Sequence, residues 1–446
     1  MTAQVGSAGR RLSLVTVDQI LSSLSNIAAL IWVAHAFEPI DFGRFSLVVM
    51  VYTVAQVVFR SLISTTAIVH PEDADGRPGA ILSSTLVLGL GSGALCAAAG
   101  LALVASDSAL GGPILVFGVA LPFLVLHDVG RFLAIARQRP AGAVMLDALW
   151  LVLLAVGLVG THLLGLDSLT WLIAAWTGSG VIASWWVFVQ CGAPTGGGLG
   201  WLRSRWDFSW RSMVSGLAAS GTALVTASLM TLFSGPLAVA AFRAATLLGA
   251  PSTAVQMAVG ISAAADIARE RHDRRAVWRH VRRAITIATA VGVLNLLVLV
   301  FLPDVVGHAV LGDSWDVVEP LMLALSLKVL LMAAQSGLRA SLMGTHRIQA
   351  AMVTDIVAIV LVGACMVIGA AWGDAEGALW AMAVGTGVST VCWWIAVMWK
   401  GRGPLPEPPE QPELPELPES EREAARESHA PAEPVRLAPG RHRAST

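Results

Sequence analysis

Residues 268–283 read ARERHDRRAVWRHVRR, the most basic stretch of the chain. Long apolar runs stand on both sides of it, and that setting decides how the rest is read. Cytoplasmic loops of membrane proteins collect Lys and Arg, so this stretch is expected on the cytoplasmic side. Composition agrees with the class. Hydrophobic residues make up 55% of the 446 residues and charged residues only 13%, against about 25% charged in soluble domains. Apolar runs of about twenty residues, the length that crosses a bilayer's hydrocarbon layer, recur throughout. The chain reads as an all-α polytopic membrane protein.

Counting outward from 268–283, apolar periodicity and Pro/Gly breakers give about twelve spans. They run over 14–36, 43–69, 80–104, 113–136, 142–164 and 169–191, then 208–233, 236–263, 284–303, 318–343, 348–372 and 376–400. Arginine placement tests the count. Arg77, Arg137 and Arg139, Arg203 and Arg205, and Arg347 fall in the even-numbered loops, whereas beyond Arg44 the odd loops are bare of Lys and Arg. One helix too many or too few would break this alternation. Both termini are therefore expected in the cytoplasm, in a multi-pass plasma (cytoplasmic) membrane protein. The N-terminal run holds Asp18, Gln19 and Asn26 and is longer than a leader's apolar core, so it is read as span 1. Cys96, Cys191, Cys365 and Cys392 form no CxxC pair, which leaves neither a disulfide framework nor a metal site as an expectation.

The Gly-rich stretch GAPTGGGLG (192–200) divides the spans into halves. This gives an N-terminal six-helix lobe (1–191), a cytoplasmic linker (192–206), a C-terminal six-helix lobe (207–400) and a Pro/Glu-rich tail (401–446). The tail has too few apolar residues to build a core and is expected to be extended or disordered in the cytoplasm. The entry to span 2, EPIDFGRFSLVV, resembles the entry to span 8, GPLAVAAFRAAT. Parallel repeats of this kind are common in transporters, with the substrate near the midplane between them.

Six segments carry a wider likeness: DFGRFSL (41–47), DFSWRSMVSGL (207–217), AVAAFRAATLLGAP (238–251), LGDSWDVVEPLMLAL (311–325), LRASLMGTHRIQAAM (338–352) and GDAEGALWAM (373–382). In their order and spacing the chain resembles the polysaccharide (oligosaccharide) flippase branch of the multidrug/oligosaccharidyl-lipid/polysaccharide exporter superfamily. The resemblance covers roughly residues 10–400. It implies two lobes around a central cavity open to each side in turn. It also implies a polyprenyl-diphosphate-linked oligosaccharide as cargo, moved from the cytoplasmic to the outer leaflet, and no enzymatic step.

The charges inside the spans fall into two groups. Arg243, Lys328 and Arg60 lie deep in spans 8, 10 and 2, where an ionisable group is a functional candidate by default. With Asn26, Gln56 and Gln256 as contacts to sugar hydroxyls, they form the expected substrate-binding set. Guanidinium offers phosphate a matched planar fork. Asp128–Arg131 and Asp207–Arg211 have intrahelical pairing distances. Asp18, Asp147 and Asp355, two or three turns from cytoplasmic ends, are expected near the interface; only Asp18 is kept as a coupling or gating residue, for H+ or Na+. The glycines of GLGSG (89–93) have helix-packing spacing rather than that of a phosphate loop. An ion-coupled multidrug or metabolite exporter of the same superfamily is the nearest alternative, and a membrane glycan polymerase or ligase a more distant one. The expected partners are an anionic lipid-linked glycan, membrane lipids and, through the tail, polysaccharide-assembly proteins. Nothing suggests nucleic acid.

Overall fold

The computed structural model describes residues 2–166, 168–311 and 315–400. Within these, the side chains of 2–9, 26–27, 30–31, 34–35, 39, 221–248, 250, 309–311, 316–318, 373–375 and 400 are not described. The expected tail, 401–446, lies outside the described residues, as do the Gly312 and Asp313 positions.

Every described element is helical: α1 (Thr2–Ala36), α2 (Pro39–Phe59), a π-helical turn (Arg60–Ser64), α3 (Thr65–Val69), α4 (Pro71–Gly76), α5 (Pro78–Ala105), α6 (Gly111–Ala136), α7 (Ala141–Leu163), α8 (Leu169–Cys191), α9 (Gly198–Ser204), α10 (Trp206–Arg269), α11 (Arg274–Val300), α12 (Asp304–Leu311), α13 (Trp315–Gly344) and α14 (Ile348–Lys400). Nine spans among the described residues are long and apolar enough to cross a membrane.

Two of the elements are hairpins. A straight helix of the 64 residues in α10 would be about 96 Å long. Yet Arg205 beside its start binds Asp73, and Arg269 at its end binds Asp75. Both ends thus return to α4, and the chain reverses between them, as the Gly235-Pro236 breaker predicts. In α14 a Cβ on Gly385 would lie 3.1 Å from the Cα of Val362, and Gly369 touches Gly377 backbone to backbone. These contacts require a reversal over 370–376. With α10 and α14 each counted as two passes, α2 continuing through the π turn into α3, and the short helices set aside, the described chain makes the twelve passes expected.

Small residues set the closest approaches. A Cβ on Gly89 would meet Pro122 Cα at 3.0 Å, and one on Gly93 would meet the Gly118 carbonyl at 2.6 Å. GLGSG is therefore the α5 surface on which α6 lies. Where the sequence suggested only a linker, α9 forms: Ser84 Oγ on α5 donates to Gly198 O at 2.6 Å, and Trp201 Nε1 donates to Asp73 at 3.0 Å.

At the end bearing the basic loops, the first half of the chain touches the second. Thr66 on α3 and Ser209 on α10 share a hydrogen bond of 2.9 Å. His346, in the α13–α14 turn, reaches the Val69 carbonyl at 2.9 Å. The apolar seam around them includes Val69, Phe208, Leu338 and Leu342.

Candidate functional site: a buried charge cluster and its second copy

Arg131 on α6 is only 2% exposed and binds three helices at once. Its Nε and Nη2 donate to the two carboxylate oxygens of Asp18 on α1, at 3.2 and 2.8 Å. Its Nη1 donates to Ser22 at 2.9 Å and to Asp128, one turn back on its own helix, at 3.4 Å. Asp147 on α7 brings Oδ2 within 3.0 Å of Nε, but it is not aligned for a hydrogen bond and has no donor.

Asp128 has a second guanidinium. Arg60, the first residue of the π turn, donates from Nε and Nη2 to its two oxygens at 2.8 and 2.6 Å. Gln56, one turn earlier on α2, adds a bond of 3.4 Å. The extra residue of a π turn shifts side-chain register locally, and such turns gather at functional sites. Here the turn leaves Arg60 on the cluster and Ser61 packed against Gly216 of α10. The ring of Phe132 lies under both guanidinium groups, at 5.4 and 5.9 Å. Tyr52, His127, Trp150 and Trp176 wall off the other side in edge-on contacts. Four buried side-chain atoms there have no hydrogen-bond partner among the described residues: Tyr52 Oη, His127 Nδ1, Asp147 Oδ2 and Trp176 Nε1.

The charges do not balance. Three carboxylates (Asp18, Asp128 and Asp147) are at most 1% exposed, and they face two guanidinium groups. A buried unpaired charge is costly, so the cluster calls for one more positive charge. Asp18 and Asp128 each hold a two-point guanidinium contact; Asp147 has only Arg131 Nε at 3.0 Å, out of line for a hydrogen bond, and His127 Nε2 at 4.0 Å.

Asp18, Asp147 and Asp355, two or three turns from cytoplasmic ends, all point inward, 0%, 1% and 7% exposed, because an arginine on a neighbouring helix awaits each. Arg339 on α13 binds Asp355 on α14 at 3.1 Å and Ser215 on α10 at 3.0 Å. Ser215 also bonds Asp355. Residues 131 and 147 stand sixteen apart, and so do 339 and 355. Between the members of each pair lies one helix-turn-helix hairpin. At the same point of each turn a residue takes the left-handed conformation, Gln138 with φ 59° and His346 with φ 60°. The two halves therefore repeat not only in topology but in this Arg–Asp clasp.

The sequence-derived set fares unevenly. Asp18, Gln56 and Arg60 are brought together in the cluster, where Arg60 is already paired rather than a free cation. It remains 28% exposed on its outer edge. Asp128 and Arg131 do pair within α6, but their partners on α1, α2 and α7 are what define the site. Asp207–Arg211 pairs as its spacing suggested. Gln256 is buried and donates to the Val329 carbonyl at 3.3 Å, which binds α10 to α13. Lys328 on α13 is half-buried with no polar partner among the described residues. The side chains of Arg243 and Asn26 lie outside those described. His127, Asp147, Ser215 and Arg339 were missed as site residues. A search for the same Arg–Asp separation in both halves would have found Asp147 and Arg339.

No family model matches the chain, and no curated protein matches it. Solved structures do. The crystal structure of MATE in the straight conformation superposes with a TM-score of 0.74 at 16% identity, over 89% of this chain and 96% of that one. An outward-facing multidrug resistance MATE family transporter of the MOP superfamily gives 0.72 at 16% identity, over 89% and 95%. A MOP superfamily transporter from Pyrococcus furiosus, described as having a binding pocket of reverse polarity that suggests a different function, gives 0.71 at 17% identity, over 89% and 95%. The fold of this chain is thus similar, over nearly all its described length, to that of the MATE and MOP transporters.

Proposed function

We propose that the chain is an ion-coupled membrane transporter that exports its cargo by alternating access. The observation that carries this reading is the buried cluster with three carboxylates against two guanidinium groups. One proton completes it, and a monovalent cation such as Na+ is the alternative occupant. Asp147 is the residue that receives the charge, because Asp18 and Asp128 are already held by two-point arginine contacts. Binding and release of one cation there changes what Arg131 and Arg60 must balance. The π turn passes that change to α10 through Ser61 and Gly216. The likeness to the MATE fold supports the same reading.

The test uses the full chain in proteoliposomes under an imposed pH gradient, with ethidium and farnesyl diphosphate as separate cargo probes. Gradient-driven movement of either probe that is lost in Asp147→Asn supports the reading. Movement indifferent to collapse of both the proton and the sodium gradient overturns it.

A lipid-linked oligosaccharide as cargo has a specific observation in its favour. Lys328 leaves the second half with a positive charge that no described carboxylate matches. Leaflet-resolved measurement of lipid-linked sugar in cells depleted of the protein tests that cargo; unchanged leaflet distribution excludes it.

A further inference from the structure

The linker between the two halves is tied to the first. Thr195 N donates to the Gly79 carbonyl at 3.1 Å, and Ser83 Oγ on α5 donates to the Thr195 carbonyl. Ser84 Oγ on the same helix donates to the Gly198 carbonyl at 2.6 Å. Glycines bring the two segments this close. A Cβ on Gly198 would lie 2.5 Å from Ser84 N, and one on Gly79 2.9 Å from the Ala193 carbonyl. Further along, Trp201 Nε1 and Arg205 Nε both donate to Asp73 Oδ2, at 3.0 and 2.8 Å. Among the described residues, no side-chain hydrogen bond or ion pair of 193–204 reaches the second half. A Gly-rich stretch ordinarily serves as a flexible link. Here Gly192 and Gly197 instead take φ of 81° and 89°, turns that a side chain would strain, and both only carry the chain from α8 to α9.

Helix α4 meets both ends of the α10 hairpin, in unlike ways. Arg205, beside the start of α10, sits on Asp73 with the two side chains only 10% and 8% exposed. Arg269, at the end of α10, sits on Asp75 at 2.9 Å, with side chains 29% and 48% exposed. Parting a buried pair leaves charges without partners inside the protein. An exposed pair gives up little, because water takes each charge as the other leaves. Arg269 also donates to the Ala136 carbonyl at 2.6 Å, the last of α6, which water can satisfy once it is uncovered.

We infer that α9 is a strap that travels with the first half. The hinge between the halves is then the Arg205–Trp206 junction, held on Asp73. Arg269–Asp75 is a latch that opens when the halves part at the end bearing the basic loops. The start of α10 stays on α4 while its return end swings away. The inference goes beyond the transporter reading and rests on it only in that the halves part; its test reads distances without cargo or gradient.

Spin-label distances in the full chain in lipid nanodiscs test it, with Cys96, Cys191, Cys365 and Cys392 replaced by alanine. One label sits at Gly200→Cys, exposed on α9. The second sits either at Arg77→Cys on the first half or at Arg275→Cys on the second, both exposed. Asp75→Asn weakens the latch and leaves the strap intact. In that variant the 200–275 distance is expected to gain a longer population, whereas 200–77 keeps the single population of the parent. Asp75→Glu, which keeps the charge, is expected to leave both distances as in the parent. A 200–77 distance that changes in Asp75→Asn puts the hinge in the Gly-rich run and overturns the strap. A 200–275 distance unchanged in both Asp75→Asn and Arg269→Gln overturns the latch. Gradient-driven ethidium movement by the same variants would then leave the transporter reading standing.

Discussion

Arg339 Nη2 lies 3.1 Å from Asp355 Oδ2, and the same sixteen-residue separation brings Arg131 Nε to 3.0 Å from Asp147 Oδ2. In each half the arginine leaves one helix near its end, the chain turns through a left-handed residue, and the aspartate returns on the next. A hairpin of fixed length thus delivers an ion pair twice, buried in the first half and half-buried in the second. What surrounds it differs: acids on α1 and α6 in the first half, hydroxyls on α10 and α13 in the second. One scaffold then holds two clasps of different balance, the first with three carboxylates around two guanidinium groups and the second with one of each.

Removing either side of the first clasp has unequal consequences. Arg131→Met strips the shared cation from three buried carboxylates. Breaking a buried pair from one side costs about 3–5 kcal/mol, so this variant is expected to lose folded yield in detergent. Asp147→Asn removes the surplus carboxylate instead and is expected to melt within about 1 kcal/mol of the parent or above it. Asp18→Asn, which breaks a two-point contact, should fall between them. Thermal unfolding of the three purified variants, followed by tryptophan fluorescence, gives the order. An Asp147→Asn variant as unstable as Arg131→Met would contradict the count of charges.

The crossing of α10 over the π turn is predicted to control closure at the basic end. A side chain at Gly216 would collide with Ser61 Oγ. Gly216→Ala is tolerated where the small hydroxymethyl group rotates away, but Gly216→Val forces the helices apart. Ser64, 1% exposed on the same turn, reports the result. After Ser64→Cys, a membrane-impermeant maleimide should label the Gly216→Val background several-fold faster. Adding Ser61→Gly makes room and should restore slow labelling. Equal rates in all three backgrounds would remove the crossing from the gate.

Much of the architecture was legible in the residues, because it depends on local quantities. Span length, Pro and Gly breakers and the side preference of Arg each act within one helix or loop, so the twelve passes could be counted. The site was less legible. Depth along one helix places Asp147 and Asp355 near a cytoplasmic end, while their burial is decided by an arginine on the next helix. Arg60 reads from sequence as a substrate-binding cation because Asp128, 68 residues away, is a neighbour only after folding. The π turn has no composition signal at all: RSLIS reads as ordinary helix.

Variation of pH should act on the inter-half latch at His346. Its Nε2 accepts from Arg271 Nη1 at 2.6 Å and lies 2.9 Å from the Val69 carbonyl, at the C-terminus of α3. Its ring centroid lies 4.4 Å from that of His70, the planes tilted by 47°. Burial, then the guanidinium groups of Arg271 and Arg205 and the nearby His272, hold His346 down to about 4. Burial and the charges of His346, Arg205 and Arg271 push His70 well below its ordinary value too. Both rings are therefore neutral when the halves touch, and regain the ordinary value of 6.5 when they part. The sign follows: contact is fully favoured above pH 6.5, and loses ground as pH falls toward about 4, where the separated form takes up protons that the closed form refuses. Labelling of Ser64→Cys should accelerate across that window. His346→Asn keeps an amide donor and suits the left-handed backbone, so it should keep closure at neutral pH while flattening the profile; the remaining slope belongs to His70 and should vanish in His70→Asn/His346→Asn. A profile unchanged in the double variant would move the pH response elsewhere in the protein.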